Sequence, residues 1–147
     1  MRLLHKSASL TLYIPEIFED SGAHFFDSGI SAGFPSPADD FKQERLSLDR
    51  ELVKNKEATF FARVSGQSMI GAGLDDDDLL VIDRSLEPEN NKIAVCFLDG
   101  EFTVKRLRVT KEEVWLQPEN PDYPIIKITE ENNFVIWGIV TNVIKKV

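Results

Sequence analysis

The amino-acid sequence predicts a mostly β, antiparallel fold with one short helix and an extended N-terminal arm. From residue 58 onward, short runs rich in β-branched and aromatic residues alternate with turn signals such as Asp99-Gly100, which is typical of antiparallel strands. Residues 47–54 combine leucines four positions apart with acidic residues in a first turn, which predicts a helix. Residues 1–40 are rich in Ser, Gly and Pro and show neither pattern, so we expect an arm there.

The N-terminal arm is expected to contain at most one short strand, around residues 10–14 (LTLYI). Its apolar clusters favour an arm that lies on a protein surface over a fully disordered one. Two prolines within residues 35–37 fix the backbone torsion φ and end this region. We therefore expect residues 1–40 to form the arm and residues 41–147 to form the β domain.

The β domain begins with the predicted helix at residues 47–54, where Ser47 is a suitable N-cap. Strands are expected wherever a run of apolar or β-branched residues lies between turn signals. The predicted strands span residues 59–64, 79–83, 93–97, 101–107, 114–116, 125–128 and 134–144.

The last predicted strand is apolar at nearly every position of residues 134–140. A strand that is covered on one face only should alternate apolar and polar residues. Either both faces of this strand are buried within the monomer, or one face packs on a second subunit of a homodimer.

Composition and charge exclude several classes of function. The 147 residues carry 17 Lys and Arg against 25 Asp and Glu, a net charge of −8. This balance argues against direct duplex DNA binding, whose affinity depends on cationic contacts to phosphate. No apolar run is long enough for a membrane span or a secretory signal. A single cysteine, Cys96, fits a reducing cytoplasm, and with only two histidines we expect no zinc site and no cofactor.

Residues 65–73 (SGQSMIGAG) are the sharpest local feature, because a serine follows a strand among small and flexible residues. Ser68 is a candidate nucleophile, and the alternative is an ordinary Gly/Ser loop. The Gly-x-Ser-x-Gly nucleophile elbow is not satisfied, because Ile70 stands where the second glycine is required. A Ser/His/Asp triad would need His5 or His24 from the arm, which is a poor place to hold a base.

A neutral lysine can replace histidine as the general base, and Lys105 is the candidate. Strand alternation places Thr103, Lys105 and Leu107 on one face. Burial would disfavour the ammonium form and lower the pKa of this lysine. The alternative is a lysine that faces solvent.

Two further features have simpler explanations than chemistry. The run of four aspartates at residues 75–78 invites a cation site, but a solvated turn before the next strand is favoured. The run also lacks the residue alternation of a calcium-binding loop. Cys96 lies between Val95 and Phe97, which predicts a small buried hydrophobic residue.

Three segments together resemble the Ser/Lys self-cleaving proteins of the LexA and UmuD type, and the UmuD branch in particular. They are residues 65–69 (SGQSM), residues 99–105 (DGEFTVK) and residues 30–40 (ISAGFPSPADD). Of these, residues 30–40 are similar to the UmuD cleavage segment. The resemblance covers the chain from about residue 30 to its end. The serine segment alone is moderately specific, whereas the three segments in their chain order, with the Ala-Gly bond upstream of the other two, are together highly specific.

The resemblance implies the LexA/UmuD C-terminal β fold and a site. Ser68 would be the nucleophile and Lys105 the general base. The chain would cleave its own Ala32–Gly33 bond, and backbone N–H groups of Ser68 and Met69 would form the oxyanion hole. Ala32 needs only a small pocket, and Gly33 lets the backbone bend into a cleft.

The resemblance also implies a biological role. Such proteins act in the SOS response to DNA damage and cleave slowly until a RecA–single-stranded DNA filament binds them. The cleaved product would serve as a subunit of an error-prone translesion DNA polymerase of the Y-family type. The single cysteine and the apolar last strand add the expectation of a cytoplasmic homodimer.

The chain departs from the family pattern in two turns. Asp77 stands where a glycine is usual, and Asn91-Lys92 stands where Gly-Asp is usual. Both departures lie outside the catalytic segments, so they affect loop geometry more than chemistry.

Three alternative functions have to be compared with the sequence. A LexA-like repressor would need a helix-turn-helix domain before the cleavage bond, but the 32 residues ahead of Gly33 show no helical periodicity. A signal-peptidase-like enzyme would need a membrane anchor, for which the sequence offers no candidate. A structural polymerase accessory with an inert site is the alternative that the sequence leaves open, and a cleavage assay separates it.

Overall fold

The fold is mostly antiparallel β with one short α-helix among the residues that the structure describes. The computed structural model describes residues 1–6, 9–15, 23–26 and 43–147, so the predicted cleavage segment lies outside it. In chain order the elements are β1 (Arg2–Lys6), β2 (Leu10–Ile14), β3 (Ala23–Phe26), β4 (Gln43–Leu46), α1 (Leu48–Leu52), β5 (Thr59–Val64), a 3-10 helix (Ile70–Ala72), β6 (Leu79–Asp83), β7 (Ile93–Leu98), β8 (Glu101–Val109), β9 (Val114–Gln117), β10 (Ile126–Lys127) and β11 (Phe134–Ile144).

The chain divides into two compact units. The smaller unit, Ile17–Lys54, contains the antiparallel pair β3–β4 and helix α1. The side chain of Ser47 accepts a hydrogen bond from the Arg50 N–H, which confirms the predicted N-cap. The helix ends before the predicted residue 54 because Val53 already has an extended backbone. The functional division at residue 40 depends on the cleavage segment and stays a prediction.

The larger unit joins Met1–Glu16 to Asn55–Val147. Its nine strands form one sheet in the order β1-β2-β5-β6-β11-β7-β8-β9-β10. The predicted strands from residue 59 onward are confirmed, with ends that differ by at most two residues. The predicted Asp-Gly hairpin joins β7 and β8: Asp99 and Gly100 both adopt positive φ, at 47° and 91°, as a tight two-residue hairpin turn requires.

The prediction of at most one strand in the arm is wrong. Strand β2 confirms the expected strand at residues 10–14, but β1 and β3 also lie within residues 1–40. Strand β2 pairs with β5 and buries Leu10 and Leu12 in the core. Strand β1 pairs only with β2 among the described strands, and all its residues are exposed. A fully exposed strand has no buried face, so its sequence lacks the apolar alternation by which strands are predicted.

The core of the larger unit consists of two clusters of buried side chains. Alternate residues of β7 reach different clusters, because Val95 belongs to the first and Ala94 and Cys96 belong to the second. Cys96 is therefore the small buried residue that the sequence predicts. The first cluster also contains Leu10, Leu12, Ala62, Val64, Met69, Leu74, Leu80, Ile82 and Val104, and the second also contains Leu107, Leu116 and Ile139.

Strand β11 lies inside the sheet, where residues 139–144 pair with β6 and residues 134–139 pair with β7. Its backbone is therefore not an open sheet edge. Its side chains contribute to both core clusters, since Trp137 packs against the first and Ile139 belongs to the second. Both faces are thus used within the monomer, while the apolar side chains of Val135, Val143 and Ile144 remain exposed.

Candidate active site

The segment that carries Ser68 leaves the sheet at the end of β5 and is anchored at two points. Met69 and Leu74 are 2% and 3% exposed and belong to the first core cluster. Gly66 begins the turn with a φ of 104°, and Gly73 ends the 3-10 helix with a φ of 79°. Both values favour glycine, because a Cβ atom is strained there. Ser68 is half-buried between these fixed points.

A second loop, which follows β9, holds the Ser68 segment from outside. The Asn120 side-chain Nδ2 donates to the Gln67 carbonyl oxygen at 2.9 Å, and the Gly71 N–H donates to the Glu119 carbonyl oxygen at 2.7 Å. A Cβ atom on Gly71 would lie 2.5 Å from that carbonyl oxygen, so this approach requires glycine. The Glu119 carboxylate also pairs with Arg106 of β8, which ties the second loop to the sheet.

Lys105 of β8 meets Ser68 inside the fold. Its Nζ lies 3.1 Å from Ser68 Oγ, 2.8 Å from Thr103 Oγ1 and 3.0 Å from the Val104 carbonyl oxygen. Lys105 is only 8% exposed, so the alternative of a solvent-facing lysine is wrong. The contact with Thr103 confirms the predicted alternation, which places residues 103 and 105 on one face.

The surroundings of Lys105 favour its neutral amine. Burial lowers the pKa of Lys105, and the nearby Cys96 acts in the opposite direction. Burial also raises the pKa of the Cys96 thiol to about 12, so at neutral pH this thiol is protonated and carries no charge to stabilise an ammonium. The three oxygen acceptors around Nζ are uncharged as well.

A neutral amine has two N–H donors and one lone pair, which matches the three contacts of Nζ. Thr103 Oγ1 and the Val104 carbonyl oxygen can take the two N–H groups. In that neutral form the lone pair is left for Ser68 Oγ, whereas an ammonium donates to this oxygen. The neutral form is the one in which a lysine can accept a proton from a serine.

The backbone next to Ser68 offers two free donors. Among the described residues, no group accepts a hydrogen bond from the N–H of Ser68 or of Met69. These two consecutive N–H groups are the ones predicted to form an oxyanion hole.

A cavity of about 250 Å³ opens beside Lys105. Leu98, Tyr123 and Ile126 contribute apolar walls, and Thr103 and Lys105 line its polar side.

The side chains of the acidic run at residues 75–78 form hydrogen bonds with other groups of the chain. Its four side chains accept hydrogen bonds from the following partners: Asp75 from Lys145, Asp76 from the Gly66 N–H, Asp77 from Arg63, and Asp78 from Lys145 and the Asp75 N–H. Burial acts to raise the pKa of Asp78, but the bonds from Lys145 and Asp75 hold it below its ordinary value. The prediction of a solvated turn is wrong for Asp78, which is 6% exposed, because Lys145 compensates its charge.

Both departures from the family pattern fall where the backbone is left-handed. Asp77 has a φ of 69° and Asn91 a φ of 71°. Asp and Asn are the residues besides glycine that visit this region most readily. The two turns therefore keep a conformation that glycine would also adopt.

The structure brings together Ser68, Lys105 and the Met69 backbone, while Ala32 and Gly33 lie outside the described residues. Of the two histidines considered as bases, His5 is exposed and its ring packs edge-on against Phe102. The sequence does not predict the contact of Asn120 with Gln67, because residues 118–121 (PENP) carry only the signal of a turn.

In the part of the chain that the structure describes, no helix has the length and apolar character needed to cross a membrane.

Comparisons with known proteins agree with the geometry. The sequence model of the Peptidase S24-like family matches residues 24–141. Protein MucA of Salmonella typhimurium is 43% identical over 134 residues, which cover 86% of this chain and 91% of that protein. Protein ImpA of Shigella flexneri is 41% identical over 121 residues, which cover 82% of each. The LexA repressor of Delftia acidovorans is 39% identical over 116 residues, which cover 79% of this chain and 51% of the repressor.

The chain belongs to the Peptidase S24-like family, the LexA/UmuD type of serine peptidases of the self-cleaving class. Within that family it is a UmuD-like protein of SOS mutagenesis.

Proposed function

We propose that Ser68 and Lys105 form a catalytic dyad that cleaves the chain's own Ala32–Gly33 bond. The observation that carries this proposal is the buried contact of 3.1 Å between Lys105 Nζ and Ser68 Oγ. Lys105 is desolvated and, among the described residues, has no carboxylate partner at Nζ. A lysine and a serine in such direct contact supply a base and a nucleophile.

The proposed reaction uses these two side chains and the backbone next to Ser68. The Ser68 hydroxyl gives its proton to neutral Lys105, and Oγ bonds to the carbonyl carbon of Ala32. The N–H groups of Ser68 and Met69 stabilise the negative oxygen of the tetrahedral intermediate. The bond to the Gly33 nitrogen breaks as Lys105 returns the proton to that amine. Water gives a proton to Lys105 as its oxygen bonds to the acyl carbon. The bond from that carbon to Ser68 Oγ then breaks as Lys105 returns the proton to Oγ.

Because the scissile bond is part of the same chain, a site with a modest rate enhancement is enough for cleavage. A cleavage segment on the same chain makes the reaction effectively unimolecular. An activator then needs only to raise the fraction of molecules in which the segment occupies the site. For this chain, the RecA–single-stranded DNA filament is the activator that the family resemblance supports.

The cleaved body is proposed to serve as a subunit of a Y-family-type, error-prone translesion polymerase in the cytoplasm. The chain's net charge of −8 favours protein partners over direct contact with duplex DNA. A catalytically inert accessory is the outcome if no cleavage occurs under any condition.

Incubation with RecA, single-stranded DNA and a nucleotide is expected to yield a fragment that begins at Gly33. Intact mass and N-terminal sequencing check this, and any other start would overturn the site of cleavage. Gly33→Val should block cleavage, since a β-branched residue restricts the backbone that must bend into the cleft. Ala38→Val, which also introduces a valine but lies outside the scissile pair, should still cleave.

We expect a homodimer in which exposed apolar side chains of β11 contribute to the interface. Val143 and Ile144 are 39% and 42% exposed, and contact with a second subunit would remove this surface from water. Light scattering at micromolar concentration should give twice the chain mass. Val143→Asp with Ile144→Asp should shift the protein toward monomer, whereas Val147→Asp at the exposed chain end should not. A monomeric wild-type chain would contradict the proposal.

A further inference from the structure

Asn120 is a buried polar residue in the loop after β9. It is 8% exposed, and its Nδ2 donates to the Gln67 carbonyl oxygen at 2.9 Å. Its Oδ1 accepts a hydrogen bond from the Asp122 N–H at 3.0 Å. A backbone N–H can only donate, so the Asp122 contact assigns the oxygen of the amide to that side and turns the NH₂ group toward Gln67.

The Gln67 carbonyl belongs to the same peptide group as the Ser68 N–H. The peptide bond is planar and trans, so this carbonyl and this N–H point in opposite directions within one plane. A donor that fixes the Gln67 oxygen therefore also fixes the direction of the Ser68 N–H. Hydrogen bonding at the carbonyl further polarises the amide, which strengthens its N–H as a donor.

We propose that Asn120 is a positioning residue that aims the Ser68 N–H into the oxyanion hole. This inference rests on the proposed function, because only the proposed cleavage reaction gives the Ser68 N–H a role in stabilising an oxyanion. Gln67 itself is exposed and its segment has left the sheet, so strand pairing does not hold this peptide. The Gln67 oxygen accepts from Asn120 Nδ2 at 2.9 Å and, at a longer 3.4 Å, from the Ile70 N–H of its own segment. The loop after β9 thus supplies the restraint from outside the segment, and the Gly71–Glu119 contact braces the same segment three residues after Ser68.

Asn120→Asp and Asn120→Ala should both slow autocleavage at its high-pH plateau. The aspartate has the same shape but presents an oxygen to the Gln67 oxygen, and the alanine removes the donor. In either variant the Ser68 N–H is misdirected and stabilises the oxyanion less well. We therefore expect the cleavage rate to fall by about 10- to 100-fold. Asn120 does not contact Lys105, so the pH at which the rate reaches half of its plateau should stay at the wild-type value.

The matched control is Asn132→Ala. Asn132 also braces a loop, since its Oδ1 accepts from the Thr129 N–H and its Nδ2 donates to Asp99, on a different loop from Ser68. This variant should lose stability in thermal unfolding as the Asn120 variants do, yet cleave at the wild-type rate. A shifted pH midpoint in the Asn120 variants, or an equal loss of rate in Asn132→Ala, would overturn the positioning role.

A second readout is independent of cleavage. In Asn120→Ala, the carbonyl ¹³C resonance of Gln67 and the amide ¹⁵N resonance of Ser68 should both shift, because they report on the two ends of one peptide group. Asn132→Ala should leave them unchanged, and unmoved resonances in Asn120→Ala would overturn the inference. If wild type never cleaves, the proposed dyad fails. If wild type cleaves no faster than the folded Asn120 variants, the role of Asn120 alone fails.

Discussion

Ser68→Ala and Lys105→Ala are each expected to abolish autocleavage while the fold persists. The first change removes the oxygen that attacks the scissile carbonyl. The second removes the group that accepts its proton, for which we expect a loss of at least about 1,000-fold. Intact mass after prolonged incubation at high pH and with RecA filaments measures both effects, and circular dichroism checks the fold.

Lys105→Arg and Lys105→Met separate the base from the shape of the side chain. Arginine keeps a long cationic chain but its guanidinium stays protonated and has no lone pair to offer, so it should fail. Methionine fills the space without a charge and should fail equally. Lys111→Ala changes an exposed lysine in the turn after β8 and should cleave at the wild-type rate. If Lys105→Ala still cleaved with the wild-type pH profile, the dyad would be wrong, and His24 would be the next base to test.

The strands of the β domain could be predicted because each buries a face or lies between turn residues. Strand β8 shows how much of the site the residue pattern predicts. Alternation alone places Lys105 on the face of Leu107, but it leaves open whether that face meets solvent. The answer comes from long-range pairing, since β7 places Ala94 opposite Lys105 and Cys96 opposite Thr103, and from the distant loop that brings Ser68 over Nζ.

The parts that escaped prediction lack a local signal. Strand β1 buries nothing, so its pattern does not distinguish it from a loop. Asn120 is a turn residue by composition, and its contact with Gln67 spans 53 positions of the chain. The aspartates of residues 75–78 have the sequence of a solvated run, but Lys145 at the far end of the chain turns two of them into ion-pair partners.

Autocleavage without an activator is expected to accelerate with pH, from about pH 8 to pH 10. Below the pKa of Lys105, the neutral fraction rises about tenfold for each pH unit, and the rate should follow with the same slope. Burial holds this pKa below the ordinary lysine value of about 10.4, so the rate should reach its plateau before that pH. A rate that still climbs beyond about pH 11 would contradict a buried lysine base, whereas a plateau reached below about pH 8 is the outcome if burial lowers the pKa further.

The same burial predicts a linked change in stability, which tests the base without any cleavage. Between the folded pKa of Lys105 and about 10.4, the unfolded chain binds more protons than the folded chain. The free energy of unfolding should therefore rise with pH through this window, and the contribution should be lost as pH falls through the folded pKa. Urea titrations would compare Ser68→Ala, which cannot cleave, with Ser68→Ala/Lys105→Met. As pH rises, the free energy of unfolding of the Ser68→Ala protein should increase relative to that of the Ser68→Ala/Lys105→Met protein. A difference between the two free energies that does not change with pH would show that Lys105 titrates as it does in the unfolded chain.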